Sequence, residues 1–89
     1  MNIAVFASHS GSDLQAIIDG CKNDKINATV AVVISNNGDS MALQRANNEK
    51  IPNFHMSAKK YGNEEILATE IMTVLDKYVV YVMLLYQEH

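Results

Sequence analysis

Cysteine is almost missing from this sequence: Cys21 stands alone, which excludes an internal disulfide and, with no second cysteine or nearby histidine at ligand spacing, leaves no sulfur-based metal site. A reducing, cytoplasmic setting is expected. Tryptophan is absent, proline occurs once and glycine four times, and no repeat or low-complexity segment is visible. Charge is scarce in either sign. Seven Lys plus Arg against ten Asp plus Glu give a formal net charge of −3 without long blocks, a pattern unlike a nucleic-acid surface. Long hydrophobic runs are lacking too. Residues 1–7 are apolar but of strand length and without a basic leader, and residues 78–86, the longest apolar stretch, are about half of what spans a bilayer. The expectation is a soluble protein that binds neither nucleic acid nor membrane.

What remains is an ordinary globular composition: 89 residues, 48% of them hydrophobic, enough for one domain with a modest core and marginal stability. Ile3 to Ala7 form a continuous apolar run of strand length, followed by the small polar cluster Ser8-His9-Ser10-Gly11-Ser12. From Asp13 onward, Leu14, Ile17, Ile18 and Cys21 recur at spacings of three and four, the mark of a helix with one buried face. Residues 29–34, without alternation, predict a strand covered on both sides. A turn at residues 35–40 leads to a second helix ending near Asn48. Pro52 opens a short third strand over residues 53–56, and residues 59–63 read as a polar connection. A third helix is predicted over residues 63–77 and a fourth strand over residues 79–85. Four strands alternating with three helices predict an α/β fold, a βαβαβαβ unit whose right-handed crossovers give one mostly parallel sheet flanked by helices.

In such sheets ligands bind outside the carboxyl ends of the strands, often on the loop after the first. That directs attention to residues 8–13. A glycine among hydroxyl residues at a strand-to-helix turn lets the backbone approach a ligand, and the first helical N–H groups point at it, an arrangement suited to phosphate. Gly11 can take positive φ, and Ser12 and Asp13 can donate from their amides. The competing reading is punctuation, with Ser12 or Asp13 capping a helix. The Asp13 carboxylate also opposes a phosphate, since it meets the helix dipole itself and repels a second anion.

The segments Met1-Asn2-Ile3-Ala4-Val5 and Gly11-Ser12-Asp13-Leu14-Gln15-Ala16-Ile17 resemble the opening of phosphoribosylglycinamide formyltransferases. Val33-Ile34-Ser35-Asn36, Ala42-Leu43-Gln44-Arg45-Ala46 and Lys50-Ile51-Pro52 continue the resemblance, which covers residues 1–78. It implies the Rossmann-like N-terminal half of the formyltransferase fold, and an enzyme that moves a formyl group from 10-formyltetrahydrofolate to glycinamide ribonucleotide in purine synthesis, with no metal. It also implies that Gly11, Ser12 and Asp13 hold the 5′-phosphate of the ribonucleotide. The family's catalytic asparagine, histidine and aspartate have no counterpart among these residues, so the expectation is substrate binding without catalysis and no folate bound by this segment. Where His9 and Asp13 stand, the family often has glycine and asparagine, departures that point to weakened phosphate binding, with an N–H from protonated His9 to the phosphate as the alternative.

Other residues carry blander readings. Ser8, Ser10 and Ser12 near His9 lack the spacing of a nucleophile elbow and an acidic orienter. His55 reads as a packed or edge histidine, Cys21 as a small buried hydrophobe, and Met41, Met56, Met72 and Met83 as scattered core fillers. Asn36, Asn37 and Gly38 read as a turn, with a ribose contact as the alternative. Glu64 and Glu65 suit the first turn of a helix. A second reading of the whole is a non-enzymatic α/β module, in which the apolar last strand recruits a protein partner or a second copy to form a homodimer.

Overall fold

A computed structural model of the chain describes residues 2–7, 11–78 and, by their backbone, 81–84. Along the chain run β1 (Asn2–Phe6), α1 (Ser12–Lys22), β2 (Thr29–Ser35), α2 (Met41–Asn48), β3 (Asn53–His55), α3 (Ala58–Tyr61), α4 (Glu64–Tyr78) and β4 (Tyr81–Leu84). The strands form one parallel sheet in the order β3-β2-β1-β4. The expected α/β unit is therefore present, with β1 and β2 at its centre. Of the predicted fourth strand, positions 79, 80 and 85 lie outside the described residues.

Strand order fixes where the helices lie. From β1 to β2 to β3 the chain steps in one direction, so right-handed crossovers put α1 and α2 on the same face. The step from β3 to β4 passes back over β1 and places α4 on the other. Packing follows this division. Ile3, Val5, Val30 and Val33 meet Leu14 and Ile18 of α1 and Ala42, Leu43 and Ala46 of α2. Ala4, Val32, Ile34 and Met56 form the second cluster, against which Leu67, Ile71, Val74, Leu75 and Tyr78 of α4 pack.

One irregularity lets β2 serve both clusters. Its partners on β1 run Ile3 with Val30 and then Ala4 with Val32, so Ala31 is an extra residue. Such a bulge shifts the alternation by one position. Val30 and Val33, which strict alternation would send to opposite faces, both join the α1–α2 side.

The helices begin and end on recognisable residues. In α2, the buried Ser40 hydroxyl accepts from the Ala42 N–H (3.0 Å) as N-cap. Glu64 and Glu65 occupy the first turn of α4, where acids complement the dipole. The connection predicted over residues 59–63 is largely taken up by the short helix α3, bounded by Ser57, whose hydroxyl accepts from the Lys60 N–H, and by Gly62 at φ 95°. The third strand stops at His55 rather than at residue 56, although the Met56 N–H still donates to the Ser35 carbonyl (2.9 Å).

Two methionines contradict their reading as core fillers. Met56 is buried, but Met41 is 48% and Met72 59% exposed. The inner stripe of α4 runs through Ile71, Val74, Leu75 and Tyr78, and Met72, one position off it, turns about 100° away. Met41, the first residue of α2, precedes the buried Ala42 and Leu43 in the same way. The side chain of Met83 lies outside the described residues. Cys21 is half-buried against the α1–α2 cluster. Among the described residues no helix is long and apolar enough to cross a membrane.

Candidate functional site

The turn after β1 sits at the topological switch point. β1 pairs with β2 on one side and β4 on the other, so the strand order reverses at β1, and in open α/β sheets ligands bind outside the carboxyl ends of the strands at such a reversal. The ladder extends one residue past the strand, where the Ala7 N–H donates to the Ile34 carbonyl (3.0 Å). Residues 8–10 lie outside the described residues, and with them His9 and the serines considered as nucleophiles. The chain is described again from Gly11, buried, at φ 75° and ψ 15°.

Gly11 itself is the N-cap position, and Ser12 and Asp13 are the first two residues of α1. This corrects the competing reading, in which one of those two side chains provides the cap. The helical ladder begins with the Gln15 N–H donating to the Gly11 carbonyl (2.8 Å), so the preceding amides point along the helix axis. Ser12 and Asp13 are exposed, whereas Leu14 is fully buried. The apolar stripe thus anchors α1 while its first turn faces outward.

Glycine is required at position 11 for two reasons. Its φ lies in the left-handed region that side chains rarely adopt, and a Cβ there would come within 2.7 Å of the Ala42 Cα and 3.0 Å of the Ala42 nitrogen. The turn is therefore seated on the start of α2. The same construction brings the Arg45 Cδ within 3.0 Å, and the guanidinium continues to Gln15, donating to its side-chain oxygen (3.4 Å). Arg45 is the residue that sequence reasoning missed. Its signals were membership of an amphipathic segment and of the resembling run Ala42-Leu43-Gln44-Arg45-Ala46, neither of which reveals a contact with Gly11, because that contact joins residues far apart in the chain.

Gln15 extends this link. Its amide donates to Asp19 (3.1 Å) and to Glu49 (3.5 Å), and Glu49 is ion-paired with Lys22. These polar contacts join α1 to α2 from Gln15, near the start of α1, to Lys22 at its end, where Glu49 closes α2. The hydrogen bond from Lys22 holds the Glu49 carboxyl below its ordinary pKa, and the bond to Glu49 raises that of Lys22.

The turn at the carboxyl end of β2 is equally defined. Buried Ser35 accepts from the Asn37 N–H and donates to the Asn37 carbonyl (both 3.1 Å), while the Asn37 side chain accepts from the Asp39 N–H (3.0 Å). His55 is half-buried on β3, the outer strand on that side, as an edge histidine should be. Among the described residues no group of three His, Cys, Asp or Glu is placed to hold a metal ion.

Comparison with known proteins agrees with this geometry. The formyl transferase family matches residues 1–87. The phosphoribosylglycinamide formyltransferase of Escherichia coli is 41% identical over 78 residues, covering 88% of this chain and 37% of that enzyme. The trifunctional purine biosynthetic protein adenosine-3 of Drosophila melanogaster is 38% identical over 71 residues, covering 78% of this chain and 5% of that protein. Among solved structures, glycinamide ribonucleotide transformylase 1 of Symbiobacterium toebii superimposes with a TM-score of 0.89 at 34% identity, over 100% of this chain and 42% of that one. The chain thus spans well under half the length of each of these three proteins.

Proposed function

Because the chain belongs to the formyl transferase family, we propose that its glycine turn holds the 5′-phosphate of glycinamide ribonucleotide, the substrate named by the transformylases it resembles. The supporting observation is Gly11: left-handed, at the carboxyl end of a central parallel strand, opening a helix whose first two residues, Ser12 and Asp13, are exposed. A helix N-terminus so placed offers amide donors and a positive dipole end to an anion. Arg45 beside Gly11 adds positive charge on the same side and offsets part of the repulsion from Asp13.

In this reading the residues bind substrate, and none is assigned a step of formyl transfer. The formyl donor is 10-formyltetrahydrofolate, and Gly11, Ser12 and Asp13 are not assigned to it. The setting in this reading is the cytoplasm. For assembly, β4 pairs with β1 alone among the described strands, and its outer edge is the place for a strand of a second copy to add. Light scattering that finds only monomer at high micromolar concentration would remove the assembly part of the proposal.

Calorimetric titration of the 89-residue chain with glycinamide ribonucleotide tests the binding reading. Saturable binding, displaced by inorganic phosphate and tightened a few-fold by Asp13→Asn, is the expected result. A folded chain that takes up no ligand at millimolar concentration, or one unaffected by Asp13→Asn, overturns it. A valine at Gly11 is a poor control, since its Cβ would displace α2.

A further inference from the structure

A second pocket, of about 580 Å³, opens at the carboxyl ends of β2 and β3, away from the glycine turn. Its walls are the Asn36–Gly38 turn, His55, Ser57 and the two lysines of α3, Lys59 and Lys60. Its volume falls within the range of small-molecule sites. Among the described residues no acidic one lines it, although the chain as a whole carries −3. Asp39, next in sequence to Gly38, is not among the lining residues.

Both sides of the pocket are held in place. The Ser35 hydroxyl grips the Asn37 backbone through its N–H and its carbonyl. Opposite, the Lys60 ammonium donates to the His55 carbonyl (2.9 Å), which fixes the cation and leaves it two further donors. His55 lies against Gly38, since a Cβ at that glycine would come within 3.0 Å of the imidazole Nδ1. The Asn37 turn, the His55 ring and the Lys60 ammonium are accordingly set before any ligand arrives, which lowers the ordering cost of binding.

The geometry points to a second binding site here, for a small metabolite bearing an oxyanion, phosphate or carboxylate. Lys59 and Lys60 meet the anion, and the Asn36 amide and the His55 ring meet the polar body next to it. The site is independent of the ligand assigned to the glycine turn.

The test is a titration of the ¹⁵N-labelled chain followed by amide chemical shifts, with inorganic phosphate in one arm and glutarate in the other. Saturable shifts at residues 36–38 and 55–60 in either arm support the site, and the arm that binds more tightly identifies the anion. Lys59→Gln combined with Lys60→Gln should weaken that binding roughly five-fold or more while leaving phosphate-induced shifts at residues 11–13 unchanged. Lys59→Gln alone, which removes no side-chain hydrogen bond seen among the described residues, should give a smaller loss in the same direction. Shifts that never saturate, that fall only at residues 11–13, or that survive the double substitution overturn the proposal.

Discussion

Gly11 and Ala42 are locked together at backbone contact: a Cβ on the first would stand 2.7 Å from the Cα of the second. Gly11→Ala therefore incurs both left-handed strain and displacement of α2, together about 2–4 kcal/mol. Gly62, at φ 95°, has nothing within 4 Å of its would-be Cβ, so Gly62→Ala should cost the strain alone, about 1 kcal/mol. Denaturant unfolding of both variants checks the difference. Equal losses would mean that the contact with Ala42 contributes nothing.

Ser40→Ala removes the hydroxyl that accepts the Ala42 N–H at the start of α2. Because Ser40 is only 3% exposed, water is poorly placed to substitute. A loss of about 1–2 kcal/mol is expected, read from the unfolding midpoint, together with weaker binding at the glycine turn, which rests on the same helix start.

Leu14 has no exposed surface and is the first inward residue of α1. Leu14→Ala should cost about 2–5 kcal/mol through lost burial and the cavity left behind. Set against the roughly 5–15 kcal/mol that holds a small domain folded, this is a large share. Circular dichroism at 37 °C should show a measurable unfolded fraction, whereas exposed Met72→Ala on α4 should leave the melt almost unchanged.

The Lys22–Glu49 pair makes a signed pH prediction. Bonding to Lys22 lowers the Glu49 pKa, so its contribution is complete above the ordinary glutamate pKa and fades as pH falls through the lower folded value. Bonding to Glu49 raises the Lys22 pKa, so that contribution is complete below the ordinary lysine pKa and fades as pH rises through the higher folded value. Glu49→Gln should flatten both limbs of the stability profile between acid and alkaline pH, with a smaller effect at neutrality than Gly11→Ala because the pair is solvent-accessible.

Much of the fold was legible because local periodicity and long-range packing agree. Leu14 and Ile18 are buried where the spacing put them, and the unbroken apolar run of β2 is covered from both sides. Two failures show where agreement ends. The turn of helix Ala58–Tyr61 is too short to display a period, so its two signals, Ser57 before it and Gly62 after it, bracket no apolar stripe and read as loop residues. Met72 is apolar by type, but only its phase relative to Ile71 and Leu75 decides that it faces outward. The glycine turn was legible as a position, not as a contact. Nothing along the chain announces that Gly11 meets Ala42 and Arg45, because that proximity is created by two crossovers landing on one face of the sheet.

The two faces of that sheet are not equally closed. α1 and α2 each bury residues completely, while α4 buries none of its fifteen to that degree. Opening free energy follows buried apolar contact, so the molecule should breathe from the α4 side. Amide protons of α4 should exchange with solvent through partial opening while those of β1 and β2 wait for global unfolding. The glycine turn, seated between α1 and α2, would then keep its shape through excursions that carry α4 away from the sheet.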